Sequence, residues 1–145
     1  MKLAIGSDHG GYNLKEAIVK HLEDKGVDVL DVGTYSKESC DYPLIAKDVT
    51  RKVLSTNGTK GILVCGTGIG ICIAANKVRG IRAAHCTDTY SAKMTVQHND
   101  ANILCLGERV TGVGLALDIV DAWLDAKFEG GRHQKRIDMI KEMEL

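Results

Sequence analysis

The residues able to do acid–base or anion chemistry are concentrated in a few short segments. These are Ser7-Asp8-His9-Gly10-Gly11, Cys65-Gly66-Thr67-Gly68-Ile69-Gly70, Gln97-His98-Asn99-Asp100, Gly107-Glu108-Arg109 and a donor-rich stretch over 130–136. Gly66, Gly68 and Gly70 let backbone N–H groups approach an anion or a developing oxyanion, with a helix dipole behind them. The string is not a P-loop, since no Gly-Lys-Ser/Thr follows, and Ile71 stands where a dinucleotide fingerprint needs its third glycine. Asp88 lies about 20 residues on, the distance expected of a ribose-binding acid, so a nucleotide site stays open.

Cys65 ends an apolar run just before that helix, where a thiol can have a lowered pKa and act as base or nucleophile. It can equally be a buried core cysteine. Cys40, Cys72, Cys86 and Cys105 lack such a setting and read as structural. His98 occupies a polar helix end, as an acid–base group or as a partner of the helix dipole. Asp8 reads as a turn cap beside His9, and His21 as part of a solvated helix face. His85 suggests no function. Arg132 and Arg136 are i and i+4 and share one helical face, either clamping a phosphate or lying solvated among Asp138, Glu142 and Glu144.

These segments need a scaffold, and the hydrophobic pattern predicts one. Short apolar runs over 2–7, 27–32, 61–65, 81–86 and 102–106 predict five strands. Helical periodicity over 13–25, 43–56, 69–78, 89–97, from Thr111 as cap, and over 132–143 fills the intervals. Gly26 suits a helix stop, Pro43 a first helical turn and Asp88 an N-cap. The 61–65 run is apolar without a break, as expected of a strand covered on both faces. Residues 69–78 are apolar nearly all round, so that helix should be buried or meet another subunit. Alternating strands and helices predict one α/β domain, 1–145, with a parallel sheet and the chemistry at the carboxyl ends of its strands.

Composition narrows the class. The 145 residues carry 19 Lys and Arg against 19 Asp and Glu, which leaves no electrostatic footprint for nonspecific nucleic-acid or anionic-membrane binding. No apolar run is long enough to span a bilayer, and Asp8 interrupts any signal peptide. Five cysteines without a CxxC pair fit reduced thiols in a cytoplasm, and the spacing of Asp, Glu and His suggests no metal site.

Taken together, Gly6-Ser7-Asp8-His9-Gly10-Gly11, Asp41-Tyr42-Pro43, Cys65-Gly66-Thr67-Gly68-Ile69-Gly70-Ile71, Ala74-Ala75-Asn76-Lys77, Gln97-His98-Asn99-Asp100 and Gly130-Gly131-Arg132-His133-Gln134 span nearly the whole chain. In this order they resemble the ribose-5-phosphate isomerase B group of sugar-phosphate isomerases. The resemblance implies a three-layer α/β/α Rossmann-like sandwich with a five-stranded parallel sheet. It implies interconversion of D-ribose 5-phosphate and D-ribulose 5-phosphate through an enediolate, in the pentose phosphate pathway, without cofactor or metal.

By the same resemblance Cys65 is the base, while Thr67 and His98 assist ring opening with His98 as proton donor. Asp8, His9 and Asn99 contact the sugar phosphate, the backbone of Gly66, Gly68, Ile69 and Gly70 binds the oxyanion, and Arg109, Arg132 and Arg136 hold the phosphate. The implied assembly is a cytoplasmic homodimer whose sites are shared between subunits, able to form a dimer of dimers. Galactose-6-phosphate isomerases divide the constellation between two different chains, whereas this one carries both the Cys65 loop and the Arg132 segment. An allose-6-phosphate isomerase is similar to the same pattern. A non-catalytic flavodoxin-like module binding a phosphate or nucleotide is the remaining alternative.

Overall fold

The computed structural model describes residues 2–145. In chain order it contains β1 (Lys2–Ser7), a short 3-10 turn (His9–Gly11), α1 (Tyr12–Asp24), β2 (Asp28–Asp31), α2 (Tyr42–Ser55) and β3 (Thr59–Cys65). It continues with α3 (Ile69–Ala75), β4 (Ala83–His85), α4 (Thr89–Gln97), β5 (Ile103–Gly107), α5 (Val113–Asp125) and α6 (Arg132–Glu142). All four strand pairings are parallel, in the order β2-β1-β3-β5-β4. The expected five-stranded three-layer sandwich is therefore present.

Alternation along the central strands divides the core. Leu3 and Ile5, Ile62 and Val64, and Leu104 and Leu106 face α1, α4 and α5, with Trp123 fully buried among them. Ala4, Leu63, Cys65, Ile103 and Cys105 face the opposite way, onto α2 and α3. Each large aliphatic side chain withdrawn from water in this way contributes roughly 1.5–3 kcal/mol. Gly61 has no side chain because Val49, Val53 and Ile103 fill the space where one would stand.

Local signals explain most element ends. Helix α1 closes in a Schellman motif: the Val27 N–H donates to Leu22 O at 3.0 Å and the Gly26 N–H to Glu23 O at 2.9 Å, with Gly26 at φ +79. Asp88 caps α4 by accepting the Ser91 N–H at 2.6 Å. Two expectations differ. Thr111 does not cap α5; it is buried, its N–H donates to Gly107 O, and the helix starts behind Gly112. Helix α3 ends at Ala75 and β4 begins only at Ala83, because the Asn76 side chain pairs with both the N–H and the C=O of Ala83 (2.9 Å each). His21 is not free either, since its Nε2 lies 2.8 Å from Asp121 Oδ1 and ties α1 to α5.

Candidate active site

Strand order fixes where a site can form. From β1 the chain steps outward to β2 and then returns past β1 to β3, so β1 and β3 flank the switch point where a crevice opens at the carboxyl edge. The segments after both strands meet there. A Cβ on Gly10 would stand 3.2 Å from the Gly66 nitrogen, so the two loops lie backbone against backbone. The loop after β5 joins them, as the Glu108 and Arg109 N–H groups donate to Cys65 O and Gly66 O at 3.0 Å each.

Cys65 ends β3 and is 5% exposed. Its Sγ accepts the Gly68 N–H at 3.1 Å, in a turn where Gly68 is left-handed (φ +81) and starts α3. Thr67 is exposed, and its Oγ1 accepts the Ile69 N–H at 3.2 Å. Asp8 is 7% exposed and its Oδ1 accepts the Gly10 and Gly11 N–H groups at 2.9 and 3.2 Å. His9 Nδ1 accepts the Cys40 N–H at 3.2 Å, which leaves the ring proton of neutral His9 on Nε2. The Arg109 guanidinium lies along Gly66, 3.1 Å from where a Cβ would be.

The remaining expected residues are elsewhere. His98 follows α4 and, with Asn99, precedes β5, which places both at the amino edge of the sheet. Arg82 holds this turn by donating to Asn99 O and Asp100 O, and Asp100 adopts φ +48. The start of α6 comes to the same edge: the Glu129 N–H donates to Gln97 O, and the His133 ring stacks on His98 at 4.4 Å. Arg132 and Arg136 are exposed on that helix.

The expected residues thus fall into two groups at opposite edges of the sheet. Asp8, His9, Cys65, Gly66, Thr67, Gly68, Ile69, Gly70 and Arg109 gather at the carboxyl edge, while His98, Asn99, Arg132 and Arg136 gather at the amino edge. The five residues of β5 hold the edges about 13 Å apart.

Further features were not legible in the motifs. The Tyr42 ring lies over Gly70, and Glu108 Oε1 accepts the Leu14 N–H in the first turn of α1 at 2.6 Å. His85, left without a role by the sequence, packs its ring under Gly68. The Cys105 thiol, hydrogen bonded to Cys72, brings the Cys72 pKa down to about 7, whereas burial pushes Cys86 up to about 11. The Asp88 carboxylate is committed to its own helix, which removes the ribose-binding acid from the nucleotide alternative. No sequence spacing suggests metal ligands, yet donor atoms of His98, Glu129 and His133 all come within 4.8 Å of one another. Glu129 belongs to the loop before α6, and only the fold brings it to His98.

The chain matches known proteins over nearly its whole length. The model of the ribose/galactose isomerase family matches residues 3–140. Ribose-5-phosphate isomerase B of Escherichia coli is 53% identical over 143 residues, covering 99% of this chain and 96% of that protein. The structure of ribose-5-phosphate isomerase B from Clostridium thermocellum superposes with a TM-score of 0.96 at 57% identity, over 99% of this chain and 97% of the other. That of Mycoplasma genitalium ribose-5-phosphate isomerase B, with bound ribulose-5-phosphate, superposes with a TM-score of 0.93 at 44% identity, over 97% and 94%.

Proposed function

The chain belongs to the ribose/galactose isomerase family, and on that premise we propose that it interconverts D-ribose 5-phosphate and D-ribulose 5-phosphate through an enediolate. The observation that carries the reading is the Cys65 sulfur at the switch point of the sheet, under the Gly68 N–H and beside the Asp8 loop. Aldose–ketose exchange needs a base at the acidic carbon, donors for the oxyanion and an acid for the ring oxygen. Cys65 removes the proton from C2 and returns it to C1 while the O2 hydroxyl proton passes to O1, so no hydride leaves and atoms balance without a cofactor. Backbone N–H groups of residues 66–70 receive the negative charge that develops on the substrate oxygen, those of Gly68 and Ile69 by leaving Cys65 Sγ and Thr67 Oγ1.

In this reading Thr67 and His98 assist ring opening, and His98 protonates the ring oxygen. Asp8, Asn99 and the His9 Nε2–H bind the sugar phosphate. Arg109, Arg132 and Arg136 hold the phosphate, and that remote binding energy orients the reacting end.

The separation of the two groups supports a homodimer. A second copy can set its His98, Asn99, Arg132 and Arg136 against the Cys65 loop, which the own chain cannot do. Helix α3 also exposes Ile69 and Ile73, and α2 beside it exposes Leu44, apolar surface that a partner would cover. No helix among the described residues is long and apolar enough to cross a membrane, and we infer a cytoplasmic homodimer.

The test is ketose formation from ribose 5-phosphate by metal-free, fully reduced protein, with allose 6-phosphate assayed beside it. No ketose from either sugar rejects the isomerase. A higher kcat/KM on allose 6-phosphate changes the substrate and keeps the chemistry.

A further inference from the structure

His98, Glu129 and His133 bring three ligand-type atoms within 4.8 Å of one another. His98 Nε2 stands 3.6 Å from Glu129 Oε1, and the two imidazole rings are 12° from parallel with centroids 4.4 Å apart. At 3.6 Å the carboxylate is beyond hydrogen-bond reach of the imidazole. Two ligand atoms about 2.1 Å from one tetrahedral zinc ion stand about 3.4 Å apart. The His98–Glu129 spacing therefore suits two ligands of one metal better than two hydrogen-bonded partners. The third donor, on His133, lies within 4.8 Å of the other two, and its ring has to leave the stack to share their ion.

The surroundings agree with a borderline-soft ion. His133 is 8% exposed, and its ring lies against His98 rather than in open solvent. Arg132 and Arg136 disfavour hard cations held by charge alone, whereas imidazole nitrogen suits zinc or cobalt. The three ligands come from the end of α4, the loop before α6 and the first turn of α6. They are joined by the Glu129 N–H to Gln97 O bond (3.1 Å) and the His133 N–H to Gly130 O bond (3.1 Å).

We propose that His98, Glu129 and His133 form a binding site for a zinc-class transition metal, with the fourth position open to water or a phosphate oxygen. The consequence for activity rests on the isomerase reading. A metal on His98 occupies the lone pair that would carry the proton, so the ion is an inhibitor.

The test begins without substrate. Metal-stripped full-length protein is titrated with zinc by calorimetry and with cobalt(II) by visible absorption, as wild type and as Glu129→Gln, His133→Gln and Cys65→Ser. The expected result is one ion per chain with a tetrahedral cobalt spectrum. Glu129→Gln and His133→Gln should each weaken binding by at least about tenfold, and Cys65→Ser should leave it unchanged. In the isomerase assay Glu129→Gln should keep its turnover and lose the zinc inhibition.

Equal affinity in wild type and Glu129→Gln overturns the site, as does loss of binding in Cys65→Ser alone, which would place the ion on the thiol. Zinc bound as expected by a protein that isomerises neither sugar keeps the site and ends the isomerase reading. An active isomerase that binds no zinc does the reverse, and one that binds zinc at full turnover ends the inhibition alone.

Discussion

Cys65 and His98 stand at opposite edges of the same sheet, the thiol closing β3 at its carboxyl end and the imidazole preceding β5 at its amino end. No rotamer change closes a gap set by the length of a strand. Subunit exchange between Cys65→Ala and His98→Ala chains, each inactive alone, should therefore restore activity. Random pairing makes half the dimers mixed with one intact site in two, so about a quarter of wild-type activity should return. No recovery in confirmed heterodimers would place both groups in one chain's site.

Cys65→Ala by itself should lower kcat by about 10²–10⁴-fold, the usual contribution of a positioned proton-transfer group. Circular dichroism should be unchanged, because the smaller side chain fits the same place in the core. A loss below tenfold would mean that another group takes the proton.

Two glycines should respond to alanine with opposite signs. At Gly68 (φ +81) a Cβ would stand 2.7 Å from the His85 ring and 2.8 Å from the Leu106 carbonyl carbon. Gly68→Ala should cost about 1–3 kcal/mol and reduce turnover through the displaced loop. Gly114 lies in α5 with open space around it, so Gly114→Ala should stabilise by about 0.4–1 kcal/mol. Urea midpoints measure both; equal signs would contradict the packing described.

Thiol labelling should follow the local environments. With its pKa brought down to about 7 by Cys105, Cys72 gains thiolate as pH rises through neutrality, so its alkylation rate should climb with a midpoint near that value. Burial keeps Cys86 and Cys105 protonated well above neutrality, and both should lag at every pH in that range. Mass spectrometry of iodoacetamide adducts reads the order. Cys86 labelling ahead of Cys72 would be the wrong result.

Lys15 is fully buried, and its Nζ donates to both Asp31 oxygens at 2.9 and 2.7 Å. Removing Asp31 leaves the buried ammonium with only the half-exposed Glu16 carboxylate at 3.2 Å, whereas removing both charges leaves no buried ammonium to pair. Asp31→Asn should destabilise by up to about 3 kcal/mol, tempered by the partial exposure of the carboxylate, and the Lys15→Met/Asp31→Asn pair by less. A double variant worse than the single would show that the ion pair itself supplies net stability.

Where one local pattern decides the structure, the sequence was readable. The unbroken apolar 61–65 run is a central strand, Gly26 completes a Schellman turn and Asp88 caps α4. Strand order was not readable, since placing β5 between β3 and β4 depends on how crossovers pack. Side chains that replace backbone partners, such as Asn76 pairing with Ala83, shortened α3 and β4 against expectation. Every residue expected at the site lies at one of two edges, but their division shows only once the strands are parallel. Glu129 escaped notice because nothing in a loop acid's neighbours foretells two histidines beside it.

The carboxyl edge also limits how such an enzyme can change in descent. Gly10 against Gly66 and Gly107 against Thr67 make that rim a joint of main chain on main chain, where an added methyl group collides with backbone. Those glycines cannot be exchanged without moving the main chain of the loop opposite. The edge of His98, Asn99, Arg132 and Arg136 is made of side chains at and after helix ends, where a substitution meets no opposing main chain. A lineage shifting to a longer or shorter sugar would record that shift on α4 and α6 first.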